Sequence, residues 1–178
     1  WTDRQSGQRA DESTRYRIGS ISKTFTAVLT LKAVQEKRLS LDQNIADFFP
    51  EIKNAANIRV RDLLQHRSGI YDFTASPDYL SWHTKPHSRA EMVALIASGG
   101  SDFAPGSRMA YSNSNYVLLS CMREKVYNKP YAELLNEQIV RPLGLKSTYL
   151  GGKIDLKRHE CNSYSFARGW QLEQQTDP

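Results

Sequence analysis

Ser20 and Lys23 form an S-x-x-K sequence, and this pair is the first candidate for chemistry in the chain. A serine hydroxyl is a poor nucleophile at neutral pH, so it needs a nearby base or cation. If a helix begins at Ser20, both side chains lie on one face, because residues three apart are neighbours. The helix N-terminus would favour a developing alkoxide, and the Ser20 amide could donate to an oxyanion. On its own, the pattern is more typical of a helix cap followed by a solvated lysine.

The histidines do not offer a better site. His66 invites comparison with a Ser-His-Asp triad, but Ser20 lacks the G-x-S-x-G elbow that such a nucleophile often occupies. We expect His66 to be a buried hydrogen-bonding residue beside the turn at Ser68-Gly69. Three other histidines lack the spacing of metal ligands, and we predict no bound metal: His83, His87 and His159.

The elements that must position these residues are mostly helices. An apolar pattern predicts a helix from Ser20 to about Lys37, with a broad buried face made of Ile21, Phe25, Val28, Leu29, Leu31 and Val34. Ser88 and Glu91 form a capping box that opens a helix over 89–98. Helices are also predicted at 60–65, 113–127 and 130–140. The alternating segment Arg15–Ile18 predicts a strand, and the polar tail 169–178 contains no closing element.

Four ordered blocks of sequence carry a family resemblance: Gly19–Thr26, Lys37–Asp42, Leu63–Gly69 and Tyr111–Asn113. Together they resemble the serine beta-lactamase-like family, which includes class C beta-lactamases, D-alanyl-D-alanine carboxypeptidases, D-aminopeptidases and related esterases. The resemblance runs from Arg17 to about Gly169. It implies an α+β fold of the beta-lactamase and penicillin-binding-protein type, in which helices flank an antiparallel sheet and a helical subdomain lies beside it.

The resemblance also implies a role for each motif residue. Ser20 would be the acylated nucleophile and Lys23 the residue that activates it. Tyr111, in a Y-x-N motif, would act with Lys23 as general base and then protonate the leaving group. Asn113 would contact the substrate amide and Lys23. The chemistry is reasonable, because a neighbouring ammonium lowers the pKa of a phenol from its reference value near 10.

Tyr111 and Asn113 also have a simpler interpretation. Tyr111 would then be a half-buried aromatic residue on a strand, and Asn113 would be the cap of the following helix. For Asn113 the two roles are compatible, since a helix cap can also contact a substrate.

One expected motif is absent from the sequence. The family normally has a Lys-Thr-Gly or His-x-Gly motif on a central strand, which supplies a second oxyanion donor, and no such tripeptide follows Tyr111. We therefore interpret residues 1–178 as a partial domain that holds mainly the helical subdomain and part of the sheet. The N-terminal helix and the C-terminal strands of the family would be missing.

The resemblance implies a serine acyl-hydrolase that forms an acyl-enzyme on Ser20 and needs no metal or organic cofactor. Three substrate classes remain open: a beta-lactam, a D-amino-acid peptide or a small ester. The alternative is a non-catalytic binding or scaffolding module on the same fold, which the absent third motif favours. A protein that binds anionic polymers ranks last, because no basic stripe with interleaved aromatic residues is present.

The composition adds limits to these hypotheses. Of 178 residues, 39% are hydrophobic and 24% charged, as in globular rather than disordered proteins. The net charge of +5 is spread among acids and bases, which argues against a nucleic-acid partner. No run of 18 apolar residues occurs, so no transmembrane segment is predicted in this chain.

Cys121 is expected in the core, and whether it pairs with Cys161 is left open. Cell-wall chemistry favours a periplasmic or extracellular location, while esterase relatives leave a cytoplasmic one open. The oligomeric state is not determined by the sequence.

Overall fold

The computed structural model describes residues 1–173, and within this range helices dominate. The helices are α1 (Ser22–Gln35), α2 (Val60–Leu64), α3 (Tyr79–Trp82), α4 (Arg89–Gly99), α5 (Asn113–Tyr127) and α6 (Tyr131–Leu135). A π-helical turn, Asn136–Val140, continues α6. Short 3₁₀ turns lie at Gly19–Ile21, Ile45–Asp47, Ala55–Asn57, Phe73–Ala75 and Leu156–Arg158. Strands β1 (Tyr164–Phe166) and β2 (Trp170–Leu172) pair antiparallel, with Tyr164 opposite Leu172.

Most predicted helices are present. α5 has the predicted bounds, α2 lies inside the segment 60–65, and α6 with its π-helical turn occupies 131–140. The capping box of α4 is formed: Ser88 Oγ accepts from Glu91 N at 3.3 Å, and Glu91 Oε2 accepts from Ser88 N at 2.7 Å. α1 ends before the predicted Lys37, because that residue takes a left-handed φ of 57°.

The strand predicted near the N-terminus and the tail predicted to lack a closing element were both wrong. Arg15–Ile18 is not a strand, because only Arg15 is paired, in a single parallel bridge with Glu160. Arg15 N donates to His159 O and Cys161 N donates to Arg15 O, each at 2.8 Å. The tail does contain a closing element, since β2 returns against β1. Positions 174–178 of that tail lie outside the described residues.

The core is built around α5, which packs against α1, α2 and α4. Leu118, Leu119 and Met122 of this helix are fully buried, and Cys121 is buried beside them. Each such side chain contributes about 1.5–3 kcal/mol through removal of apolar surface from water. Cys121 has the predicted core position, and both it and Cys161 are free thiols.

The predicted buried face of α1 was wrong in part. Leu29 is fully buried, but Ile21, Val28 and Leu31 are 63%, 43% and 49% exposed. The helix instead buries two threonines and an alanine: Thr26, Thr30 and Ala33. Burial of the threonines is possible because Thr30 Oγ1 donates to Thr26 O at 2.8 Å, and Thr26 Oγ1 lies 2.9 Å from Tyr131 Oη.

Candidate active site

Ser20 lies in the 3₁₀ turn that leads into α1, and its side chain is exposed. Gly19 enters this turn with a φ of +50°, a conformation that residues with a Cβ rarely adopt. The first turn of α1 contains no acidic residue, so nothing there neutralises the positive end of the helix dipole. The local fold therefore presents the Ser20 hydroxyl at a positively polarised helix start.

Lys23 lies one turn further along and reaches back to Ser20. Its Nζ donates to Ser20 Oγ at 3.1 Å and to Asn113 Oδ1 at 2.8 Å. The same ammonium lies 5.1 Å from the centroid of the Tyr111 ring, within the range of a cation–π contact. Lys23 thus connects the start of α1 to the segment that precedes α5 and to the start of α5 itself.

Tyr111 completes the group from the extended segment before α5. Its Oη lies 2.8 Å from Ser20 Oγ, and the side chain is 50% exposed. Partial burial and the Asp72 charge raise the pKa of the phenol, but contacts with Lys23 and Ser20 and the Lys23 charge lower it more. The pKa of Tyr111 therefore lies below its ordinary value of 10.0. A lowered pKa increases the fraction of Tyr111 present as phenolate near neutral pH, and the phenolate is the form that can accept a proton from the serine.

His66 accepts hydrogen bonds from the backbone amides of the residues before and after Tyr111. His66 O accepts from Ala110 N at 2.9 Å, and His66 Nδ1 accepts from Ser112 N at 3.2 Å. The imidazole also stacks on the Tyr111 ring, with centroids 4.5 Å apart. Burial and the Lys23 charge lower the pKa of His66, which favours the neutral ring that accepts these bonds.

The expected hydrogen-bonding role of His66 is therefore present, although the residue is half-buried rather than buried. The block around it continues inward. Ser68 Oγ donates to Asn115 Oδ1 at 2.5 Å and accepts from Ile70 N at 3.1 Å. Asn115 Nδ2 lies 3.3 Å from His66 Nδ1. Ser68 and Asn115 are both buried, so this network fixes the start of α5 against the turn that follows α2.

Asn113 is not the helix cap that the sequence suggested. Ser112 occupies the N-cap position of α5, and its side chain makes no capping bond. The Asn113 amide points across to α1 and to the turn at Phe73–Ala75. Its Oδ1 accepts from Lys23, and its Nδ2 donates to Asp72 Oδ2 and to Thr74 Oγ1, each at 3.1 Å.

The structure thus brings the four sequence-predicted residues together, namely Ser20, Lys23, Tyr111 and Asn113. Sequence reasoning missed Asp72, Thr74 and Asn115, which hold this group from outside. Each is a common polar residue without a chemical motif of its own. The available signal was position, since Asp72 and Thr74 closely follow the Leu63–Gly69 block, and Asn115 follows Tyr111–Asn113.

Comparison with known proteins identifies the arrangement. A family profile described as Beta-lactamase matches residues 1–175. The chain belongs to the beta-lactamase family. This membership confirms the resemblance drawn from the four sequence blocks.

Relatives in the beta-lactamase family include proteins named as hydrolases and amidases. The teichoic acid D-alanine hydrolase of Staphylococcus aureus is 26% identical over 166 residues, which cover 93% of this chain and 40% of that protein. A D-amino acid amidase from Ochrobactrum anthropi SV3, solved with L-phenylalanine amide, is 30% identical with a TM-score of 0.83. That match covers 96% of this chain and 50% of the amidase chain.

The beta-lactamase-like and penicillin-binding-protein-like α+β fold is also confirmed. A penicillin-binding protein from Bacillus halodurans has a TM-score of 0.85 at 22% identity, over 97% of this chain and 54% of that one. The chain therefore spans about half the length of these two solved relatives. It spans 40% of the length of the teichoic acid D-alanine hydrolase. Among residues 1–173, no helix is long and apolar enough to cross a bilayer.

Proposed function

We propose that the protein is a serine acyl-hydrolase that forms a covalent acyl-enzyme on Ser20. The observation that carries this proposal is the position of Ser20 Oγ, 3.1 Å from Lys23 Nζ and 2.8 Å from Tyr111 Oη. Both distances suit proton transfer between positioned groups. The exposed hydroxyl and the absence of an acidic residue in the first turn of α1 further favour attack on a carbonyl group.

The proposed reaction has two halves. In acylation, Ser20 Oγ bonds to the carbonyl carbon while its proton passes to Tyr111 in its phenolate form, with Lys23 stabilising the charge. The bond to the leaving nitrogen or oxygen then breaks, and Tyr111 returns the proton to that atom. In deacylation, Tyr111 takes a proton from water, the water oxygen bonds to the acyl carbon, and the Oγ–carbon bond breaks as Ser20 regains its proton.

We further propose derivatives of D-amino acids as the substrate class. Two relatives support this choice by name, the D-amino acid amidase at 30% identity and the teichoic acid D-alanine hydrolase at 26%. A small amide or ester of a D-amino acid fits both, whereas a beta-lactam is the second test substrate. Because one of these names refers to teichoic acid, a periplasmic or extracellular location belongs to the same proposal.

The test is to incubate the intact protein with a fluorophosphonate probe and with penicillin, and to follow hydrolysis of D- and L-phenylalanine amide. We expect one probe adduct on the peptide that contains Ser20, and faster hydrolysis of the D-amide. Ser20→Ala should abolish both labelling and hydrolysis. Ser22→Ala, which removes an exposed hydroxyl on the same turn, is the matched control and should retain both.

Two outcomes would contradict the proposal. Labelling that persists in Ser20→Ala would remove Ser20 as the nucleophile. No adduct and no turnover by a folded wild-type protein would favour the alternative, a binding or scaffolding module that keeps the cleft without the chemistry.

A further inference from the structure

Asp72 carries the only carboxylate in hydrogen-bond contact with the four site residues among residues 1–173. It precedes the 3₁₀ turn Phe73–Ala75, on the side of the site opposite α1. Its Oδ2 and Oδ1 lie 3.1 Å and 3.4 Å from Asn113 Nδ2. The carboxylate makes no hydrogen bond with Ser20, Lys23 or Tyr111, so its direct contact with the group is through Asn113, and its charge also raises the pKa of Tyr111 through space.

Asp72 and Lys23 together permit one orientation of the Asn113 amide. An ionised carboxylate can only accept hydrogen bonds, and an ammonium can only donate them. The amide lies between these two groups, with Oδ1 2.8 Å from Lys23 Nζ and Nδ2 3.1 Å from Asp72 Oδ2. Turning it over would set donor against donor on one side and acceptor against acceptor on the other. The carboxylate therefore ensures that an oxygen faces the lysine.

The Asp72 carboxylate is itself fixed in place. Its Oδ1 accepts from Thr74 N at 3.1 Å and from Thr74 Oγ1 at 2.9 Å, so Asp72 caps its own turn. The turn is joined to α5, because Phe73 N donates to Ser114 Oγ at 3.2 Å and Ser114 Oγ donates to Tyr71 O at 2.6 Å. Asp72 and Asn113 are thus held on one rigid unit, whose position relative to Lys23 is set by the core.

We propose that Asp72 is a positioning residue, which acts through Asn113 to hold the Lys23 ammonium against Ser20. The inference rests on the proposed function of Ser20 and Lys23. In this arrangement both protons of the Asn113 amide nitrogen are directed to Asp72 and Thr74, and its oxygen accepts from Lys23.

The test is a double-mutant cycle in the intact protein, with hydrolysis of an ester or amide substrate resolved into kcat and KM. In Asp72→Asn the new side chain can donate or accept, so both orientations of Asn113 become possible. We expect kcat to fall about tenfold for Asp72→Asn and up to about a hundredfold for Asp72→Ala, since small displacements of catalytic groups cost such factors. KM should change by less than about twofold, because the loss lies in the chemical step.

The cycle separates positioning from a merely structural role. If Asp72 acts through Asn113, then Asp72→Asn should reduce kcat by less than about twofold in the Asn113→Ala background. Asp78→Asn removes a carboxylate from an exposed position on the same segment, and it should leave kcat unchanged. Thermal unfolding of each variant shows that the comparison is made between folded proteins, and the isosteric Asp72→Asn serves if Asp72→Ala does not fold.

Each other result has a defined meaning. Three results would overturn the role of Asp72. Asp72→Asn could leave kcat unchanged, it could change KM alone, or it could reduce kcat by the same factor in the wild-type and Asn113→Ala backgrounds. In those cases fluorophosphonate would still label Ser20 in the wild-type protein. Failure of the wild-type protein to be labelled would instead overturn the proposed function, and the inference with it.

Discussion

In the proposed mechanism Tyr111 and Lys23 have different roles at Ser20, because an ammonium can only donate hydrogen bonds whereas a phenolate can accept a proton. Lys23 as an ammonium donates to Ser20 Oγ and to Asn113 Oδ1 at 3.1 Å and 2.8 Å. The Tyr111 oxygen, 2.8 Å from Ser20 Oγ, is then the atom positioned to take the serine proton. The same ammonium lowers the pKa of the phenol, so we propose that the two residues act together.

We predict that Tyr111→Phe lowers the rate of Ser20 acylation about a hundredfold or more, the usual contribution of a general base. In the wild-type protein the rate should rise with pH, because deprotonation of Tyr111 forms the base, and the rise should occur below pH 10.0 since the pKa is lowered. Fluorophosphonate labelling rates between pH 5 and 10 would measure both. Tyr16→Phe, at an exposed position, is the control.

Two results would contradict this prediction. Retention of the wild-type pH profile by Tyr111→Phe would show that another group controls the rate. The second test uses Lys23→Ala. In this variant the increase of the labelling rate with pH should move to higher pH, because the contact and charge of Lys23 that lower the Tyr111 pKa are lost. A shift to lower pH would be incompatible with the proposed pair.

The sequence motifs predicted which residues lie together at the candidate site, but not the residues that hold them in place. Ser20, Lys23 and Tyr111 belong to motifs with few physical alternatives once they occur in order. Asp72 matters only because the fold brings its carboxylate to the far side of Asn113, which lies 41 residues away in sequence. A contact of that kind depends on tertiary packing, and no local sequence pattern predicts it.

At the scale of elements, the turn after α2 fixes the path of the chain on both sides of the site. Gly69 has a φ of +77°, and a Cβ at this position would lie 2.1 Å from the Phe103 carbonyl oxygen. This close approach lets Gly69 O accept from Asp102 N at 2.8 Å and from Ser101 Oγ at 3.1 Å. The same turn carries Ser68, whose hydroxyl holds Asn115, so its geometry is transmitted to the start of α5.

We predict that Gly69→Ala destabilises the protein by roughly 3 kcal/mol or more, from a strained left-handed conformation together with a steric clash. Gly106→Ala is the matched control, because Gly106 has a φ of +79° but nothing within 4 Å of its Cβ position. The control should cost only about 1–2 kcal/mol. Urea unfolding of both variants measures the difference, and equal losses would show that the clash with Phe103 is relieved.

The elements themselves were predictable to different degrees. α4 and α5 follow from a capping box and a clear apolar pattern, and these signals are local. α1 has apolar residues on more than one face, so periodicity alone could not select the buried one. The choice was made by Tyr131 and the backbone of α1, which satisfy the hydroxyls of Thr26 and Thr30 and let them enter the interior.

At the scale of the whole molecule, the first residues pack against the segment that leads into β1. Thr2 and Asp3 are buried, and Asn162 N donates to Thr2 O at 2.9 Å. Asp3 Oδ1 accepts from Tyr164 Oη at 2.6 Å and from Asn162 Nδ2 at 3.2 Å. Sequence patterns could not predict this contact between distant segments, because neither the first residues nor the segment before β1 has a strong strand pattern.

We predict that this junction weakens in acid. Hydrogen bonds from Ser6 and Tyr164 hold the pKa of Asp3 far below its ordinary value of 3.8. A lowered folded-state pKa contributes stability that is complete above 3.8 and is lost as the pH falls below that value. Urea unfolding at pH 7, 5 and 3 should therefore show a steeper acid loss in the wild-type protein than in Asp3→Asn.

The same experiment has a direct control. Asp78→Asn makes the same change of charge at an exposed position, and its acid dependence should follow that of the wild type. If Asp3→Asn also follows the wild type, the carboxylate of Asp3 does not govern the acid response.

The buried thiol of Cys121 has a practical consequence for observing the core. Burial raises its pKa to about 11, so at neutral pH it is almost entirely protonated and reacts poorly with alkylating reagents. Cys161 is more accessible. An alkylating reagent should therefore modify Cys161 first, and the slower loss of the second thiol would follow the openings of the helical core. The rate of Cys121 alkylation, measured by mass spectrometry, would therefore report local opening of the core without any added label.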